Sequence, residues 1–137
     1  MQIEIKNSSI GKALQFIRKN FIRQITLDEI SRECGMSKYH FARTFKSVTG
    51  ITFRKYHNKT RIEASKILFK KQELNITEIC YAVGFNDASY FSRVFRKLEG
   101  ISPALYKRKI ADSSNAQDYS KIKKQYYPFF EQESASN

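Results

Sequence analysis

The sequence predicts an all-α protein of seven helices, arranged as two helix-turn-helix units joined by a long linker helix. Three observations carry this expectation. Apolar residues recur at three- and four-residue spacing along most of the chain. Capping residues and glycines punctuate those stretches. A segment of about fifty residues is used twice, the mark of one supersecondary unit repeated.

The elements follow in order. Ile10, Ala13, Leu14, Ile17 and Phe21 recur at helical spacing behind Ser8 and Ser9, both suited to capping. Thr26-Leu27-Asp28-Glu29 is a capping-box pattern that opens a short helix through Cys34, stopped at Gly35. Ser37 caps a helix running to about Thr49 and ended by Gly50. A long helix is expected over 53–71, with Tyr56, Ile62, Ala64, Ile67 and Leu68 facing inward. Asn75-Ile76-Thr77-Glu78 is a second capping box, whose helix closes at Gly84. Asp87 caps the next helix, which ends at Gly100. Ser102-Pro103 is a cap followed by proline at the first helical position.

The 137 residues suit one domain, or two very small units. With 41% hydrophobic residues there is enough apolar material for a core. Lys and Arg number 25 against 13 Asp and Glu, a net charge of +12. That excess favours a polyanionic partner. It is concentrated in residues 1–110, which carry 22 basic and 9 acidic side chains, whereas 111–137 carry 3 and 4. Asp112-Ser113-Ser114-Asn115 has linker composition, so a boundary is expected near Ala111. The expected organisation is a tandem helix-turn-helix domain over 1–110 (first unit 10–50, linker helix 53–71, second unit 75–109) and a tail over 111–137. In the tail Tyr119, Ile122, Tyr126, Phe129 and Phe130 form a rough helical stripe interrupted by Pro128. It can dock on the body, contact a partner, or be a largely disordered tail with a transient helix.

No apolar run approaches the ~20 residues that cross a membrane, and the N-terminus lacks the apolar stretch of a secretory signal. Cys34, Cys80, His40 and His57 fit no zinc spacing, so no metal or cofactor is expected and the cysteines read as buried thiols in a reducing cytoplasm. No phosphate loop or paired acid/base motif occurs, which argues against an enzyme.

The repeat narrows the function. At an offset of 49, Glu29, Ile30 and Gly35 match Glu78, Ile79 and Gly84. At an offset of 50, Phe41, Arg43, Phe45, Gly50, Ile51 and Tyr56 match Phe91, Arg93, Phe95, Gly100, Ile101 and Tyr106. The one insertion, Asn86, falls in a turn, where insertions are tolerated. Each copy is a short helix, a glycine turn and a longer helix, the layout of helix-turn-helix DNA binders. On the longer helices Phe41, Phe45 and Val48, and Phe91, Phe95 and Leu98, are expected to face the core. Tyr39, Ala42, Arg43 and Lys46, and Ser89, Ser92, Arg93 and Arg96, then form the outer faces. Small or polar residues come early and a basic residue one turn later. This suits a helix that offers its N-terminal half to base edges and its flanks to phosphates. A linker of about 18 residues at ~1.5 Å rise spans ~27 Å. Successive major-groove faces lie ~34 Å apart, so one chain can reach two of them. The alternatives are a nonspecific or architectural DNA binder and a module whose basic surface meets an acidic protein.

The segment ITEICYAVGFNDASYFSRVFRKLEGISPALY, Ile76 to Tyr106, resembles the signature of the AraC/XylS transcription regulators. Met36-Ser37, Phe41, Arg43, Phe45-Lys46 and Gly50 resemble that family's first-unit pattern, and Arg61, Ala64 and Leu68 its linker pattern. The resemblance covers residues 10 to 108. The chain has no room for the ligand-binding domain most members carry. It is therefore similar to the single-domain branch of multiple-antibiotic-resistance and superoxide-response activators. The resemblance implies a bacterial, cytoplasmic, nucleoid-associated activator that binds double-stranded promoter DNA as a monomer and meets RNA polymerase. Carried over by position, the base readers are Tyr39, Ala42 and Arg43, then Ala88, Ser89, Ser92 and Arg93. Arginine is the clear guanine reader of each helix, unless it binds a phosphate instead. Phosphate contacts fall to Lys46, Arg54, Lys55, Arg96 and Lys97, with Ser37 and Thr52 at helix N-termini. Arg61 is either an internal brace, the favoured reading, or a phosphate contact; Lys66 and Lys70 read as solvated.

Overall fold

The computed structural model describes residues 9–112. Among these are seven helices: α1 Ser9–Asn20, α2 Leu27–Glu33, α3 Lys38–Thr49, α4 Phe53–Leu68, α5 Ile76–Ala82, α6 Ala88–Glu99 and α7 Pro103–Asp112. Ser8 and the stripe from Tyr119 to Phe130 lie outside the described residues. α7 runs two residues beyond the expected boundary at 110. α4 ends at Leu68 rather than residue 71. Past that point Lys70 and Lys71 donate their N–H groups to Ile67 and Leu68, three residues back, in a tightened turn. That turn carries Phe69, which is fully buried.

The chain divides into two compact units at the Thr60–Arg61 bond, within α4. In the first, Ile10, Ala13, Ile17, Ile25, Ile30, Phe41, Phe45 and Phe53 form one buried cluster, with Cys34 at its margin. Phe45 meets Phe41 at 5.6 Å and stands edge-on to Tyr56 at 5.5 Å. In the second, Phe95 meets Phe91 at 5.8 Å and Tyr106 at 5.3 Å, and Phe69 meets Phe95 at 5.6 Å. Such offset and edge-on ring pairs are each worth about 0.5–1.5 kcal/mol beyond the area they bury. The repeat in the sequence is thus a repeat of packing.

Local chemistry sets the helix ends. Thr26, Ser37, Asn75 and Asp87 are N-caps whose side chains accept backbone N–H groups. Asn75 and Glu78 form a complete capping box. The first unit makes only half of one: the Glu29 N–H donates to Thr26, while the Glu29 carboxylate takes the Arg23 guanidinium at 2.6 Å. Gly50 and Gly100 close the long helices at φ 86° and 84°, a left-handed conformation in which a side chain is strained.

The expected inward faces of α3 and α6 need one correction. Phe41, Phe45, Phe91 and Phe95 are fully buried, but Val48 and Leu98 are 45% and 44% exposed. Each long helix has twelve residues and each short partner seven. At 1.5 Å per residue the long helix overshoots its partner by about 7 Å, and its last turn stands clear.

Candidate nucleic-acid interface

The outer face of α3 begins just after the Gly35 turn. Ser37 Oγ accepts the His40 N–H at 3.2 Å, which fixes the start of the helix. Tyr39 is 82% exposed, and Ala42, Arg43 and Lys46 are exposed beside it. Thr52, Arg54 and Lys55 are exposed at the start of α4. Thr52 caps that helix through the Lys55 N–H at 3.2 Å. A capping hydroxyl accepts from its own helix and keeps one O–H to donate outward, so Ser37 and Thr52 can still serve an oxyanion.

On α6, Ser89, Arg93, Arg96 and Lys97 are exposed, whereas Ala88 and Ser92 are half-buried. Asp87 Oδ1 accepts the N–H groups of Ser89 and Tyr90 at 2.8 and 3.2 Å. Every sequence-predicted site residue of the first unit lies on its outer surface. In the second unit Ala88 and Ser92 offer less than their positions promised.

Behind these faces the linker residues divide. Arg61 is 4% exposed, with its guanidinium 5.3 Å from the centre of the Phe85 ring, the internal brace that was expected. Lys66 overturns its reading as a solvated residue. It is fully buried, its ammonium 2.9 Å from Glu99 and 3.5 Å from Glu63. His57, buried, bonds the Phe21 carbonyl through Nε2 at 2.8 Å, and so carries its proton there. His40 is exposed. Burial pushes the Cys34 and Cys80 thiols above their ordinary pKa, which keeps them protonated and unreactive. Among the described residues no group of three or more His, Cys, Asp or Glu could hold a metal ion. No helix among them is long and apolar enough to cross a membrane.

A family model described as a helix-turn-helix domain matches residues 30–109, more than half of the chain. The chain belongs to the AraC/XylS family of helix-turn-helix proteins. Within that family it is 34% identical over 108 residues to an uncharacterized HTH-type transcriptional regulator of the cgkA 5' region of Pseudoalteromonas carrageenovora, covering 78% of this chain and 63% of that one. It is 30% identical to the HTH-type transcriptional activator AarP of Providencia stuartii, covering 76% of this chain and 77% of AarP. Among solved structures, the C-terminal domain of AraT, a response regulator from Geobacillus stearothermophilus, superimposes with a TM-score of 0.69 at 33% identity, covering 74% of this chain and 84% of that one. The chain spans 63%, 44% and 31% of the length of three curated relatives, the cgkA-region regulator being the first of these. The all-α, seven-helix architecture read from the sequence is the fold of this family.

Two features of the interface were missed. Tyr90 lies against Arg93, a contact its i,i+3 spacing could have signalled. The burial of Lys66 was missed although Glu63 stands at i,i+3 spacing from it, because its nearer partner, Glu99, is 33 residues away.

Proposed function

We propose that the chain is a sequence-specific DNA-binding regulator of transcription that presents α3 and α6 to successive major grooves of a promoter. The observation that carries this is the pair Arg43 and Arg93. Each is exposed at the same position of a capped helix that follows a glycine turn, on a chain of net charge +12. Arginine is bidentate to guanine O6 and N7, and the lysines and arginines beside it are placed for phosphates. Tyr39, Ala42, Ala88, Ser89 and Ser92 complete the base-facing set. Lys46, Arg54, Lys55, Arg96 and Lys97 hold the backbone, with Ser37 and Thr52.

Short side chains at Ala42 and Ala88 leave much of the discrimination to methyl contacts and DNA shape, so related sites are ranked shallowly. The kinship with AarP supports an activator; action as a monomer that contacts RNA polymerase, in the cytoplasm at the nucleoid, completes the proposal. The same kinship supports a protein with no catalytic role.

Selection from a randomised duplex pool at physiological salt tests the reading. An asymmetric motif with two half-sites about one helical turn apart is the expected result. On the selected duplex, Arg43→Ala and Arg93→Ala should each cost about 1–3 kcal/mol and relax one base position. Uniform weakening of all sequences with a smaller salt slope would make them phosphate contacts, and an unenriched pool would favour an architectural binder.

A further inference from the structure

We propose that Tyr90 is a positioning residue that holds the Arg93 guanidinium in place on the outer face of α6. This deepens the DNA-reading role proposed above and rests on it. The Arg93 guanidinium carbon lies 5.9 Å from the centre of the Tyr90 ring, within the range of cation–π attraction. Tyr90 is 39% exposed and is itself held from below. Its ring meets Phe85 at 5.9 Å and 59°. Phe85 is 2% exposed, packed on Phe91 at 5.2 Å and faced by the Arg61 guanidinium at 5.3 Å. A stack therefore rises from the buried linker residue Arg61 through Phe85 and Tyr90 to Arg93 at the surface.

The physical consequence is preorganisation. Arginine has many rotamers, and a base reader loses that freedom when it docks. A ring that already restricts the side chain reduces the loss on binding, and a planar guanidinium suits stacking where an ammonium would not. The first unit has Met36 where the second has Phe85, and His40 where the second has Tyr90. The second unit thus has a fixed reader.

The test uses the full chain, the duplex it selects and that duplex altered at the base pair read by Arg93. Tyr90→Leu should reduce the preference at that pair about two- to five-fold, the size of an exposed cation–π contact. Its affinity for random duplex and salt slope should stay at wild-type values, the lost Phe85 ring contact should lower the thermal midpoint only slightly, and Tyr90→Phe should behave as wild type. In the Arg93→Ala background Tyr90→Leu should have no further effect at that pair. Without DNA, ring shielding should shift the Arg93 side-chain proton resonances of the wild type and vanish in Tyr90→Leu. Absent shielding, a loss that persists in the Arg93→Ala background, or a Tyr90→Phe variant as impaired as Tyr90→Leu would overturn the proposal. Shielding in a chain that selects no sequence would instead overturn the DNA-reading role and leave the ring contact standing.

Discussion

The two units share one ring trio at similar spacing, Phe41–Phe45–Tyr56 at 5.6 and 5.5 Å and Phe91–Phe95–Tyr106 at 5.8 and 5.3 Å, yet differ in what they bury beneath it. At the offset of 49, Leu14 and Ile17 of α1 align with Glu63 and Lys66 of α4, and at 50 Thr49 aligns with Glu99. Ile17 is fully buried in the first unit; Lys66 is equally buried in the second. Its ammonium is answered by Glu63 and Glu99, side chains 5% and 14% exposed. Two aliphatic side chains and a threonine in one copy stand where an ionic trio stands in the other, and all three positions differ together. That is how buried charge survives: a single member without its partners would be an uncompensated ion in a poorly polarisable interior. A second exchange has a similar logic. Buried His57 bonds the Phe21 carbonyl at 2.8 Å, and its counterpart Lys107 bonds the Leu74 carbonyl at 2.9 Å. Both tie the helix that follows α3 or α6 back to the loop that precedes the short helix of the same unit.

The outer faces differ in the opposite sense. The first unit exposes Lys38, Arg43, Lys46, Arg54 and Lys55. At the matched positions of the second stand Ala88, Arg93, Arg96, Ala104 and Leu105, and Asp87 replaces Ser37 as the cap. More cation is offered by the first unit, more preorganised geometry by the second.

The largest expected effect breaks the ionic trio. Lys66→Met leaves two carboxylates facing each other and should destabilise the second unit by about 3–5 kcal/mol in denaturant unfolding. Installing the first unit's residues together, Glu63→Leu, Lys66→Ile and Glu99→Thr, should restore most of that loss. A triple variant no better than Lys66→Met would end the idea that the two trios are interchangeable.

Alkali should act next. Burial pushes the Tyr56 hydroxyl up to about 12 from its ordinary 10, with Arg18 pulling weakly the other way. Because the folded-state value is raised, this stability is complete below pH 10 and is lost as pH rises toward about 12. Tyr56→Phe should flatten that part of the pH–stability curve, and an unchanged slope would place the titration elsewhere.

Acid should have a smaller effect in the other direction. The Arg23 guanidinium holds the Glu29 carboxyl below the usual carboxylate range. A depressed folded-state value means stability present above the ordinary 4.5 and lost as pH falls below it through the lower folded-state value. Both partners are substantially exposed, so the effect is slight and salt-screened. Glu29→Gln should remove it.

Exchanging the caps sharpens the comparison most gently. Ser37→Asp and Asp87→Ser should each change stability by only a few tenths of a kcal/mol, since both residues cap well. Affinity for any duplex should fall with the first and rise with the second, read as parallel shifts across unrelated sequences, because a carboxylate on the proposed DNA-binding face would repel phosphates.

Much of this was legible in the chain. Caps at Thr26, Ser37, Asn75 and Asp87, and stops at Gly50 and Gly100, depend on one residue and its neighbours three or four along, so local sequence determines them. The exposed arginines were legible for the same reason, as partners of Phe41 and Phe91 on opposite faces of one helix. Val48 and Leu98 were misread because helical period assigns a side but not how far the neighbouring helix reaches.

The sequence by itself determined the helices, their caps and glycine stops, the duplication and the outward position of Arg43 and Arg93. These follow from side-chain period and backbone hydrogen-bond accounting within a few residues. Only the tertiary structure decided that Lys66 is buried with Glu63 and Glu99, that Arg61 and Phe85 support Tyr90, and that Glu29 serves Arg23 rather than its own cap. A charged or aromatic side chain has several partners within reach, and its choice is settled by which groups packing has already removed from water.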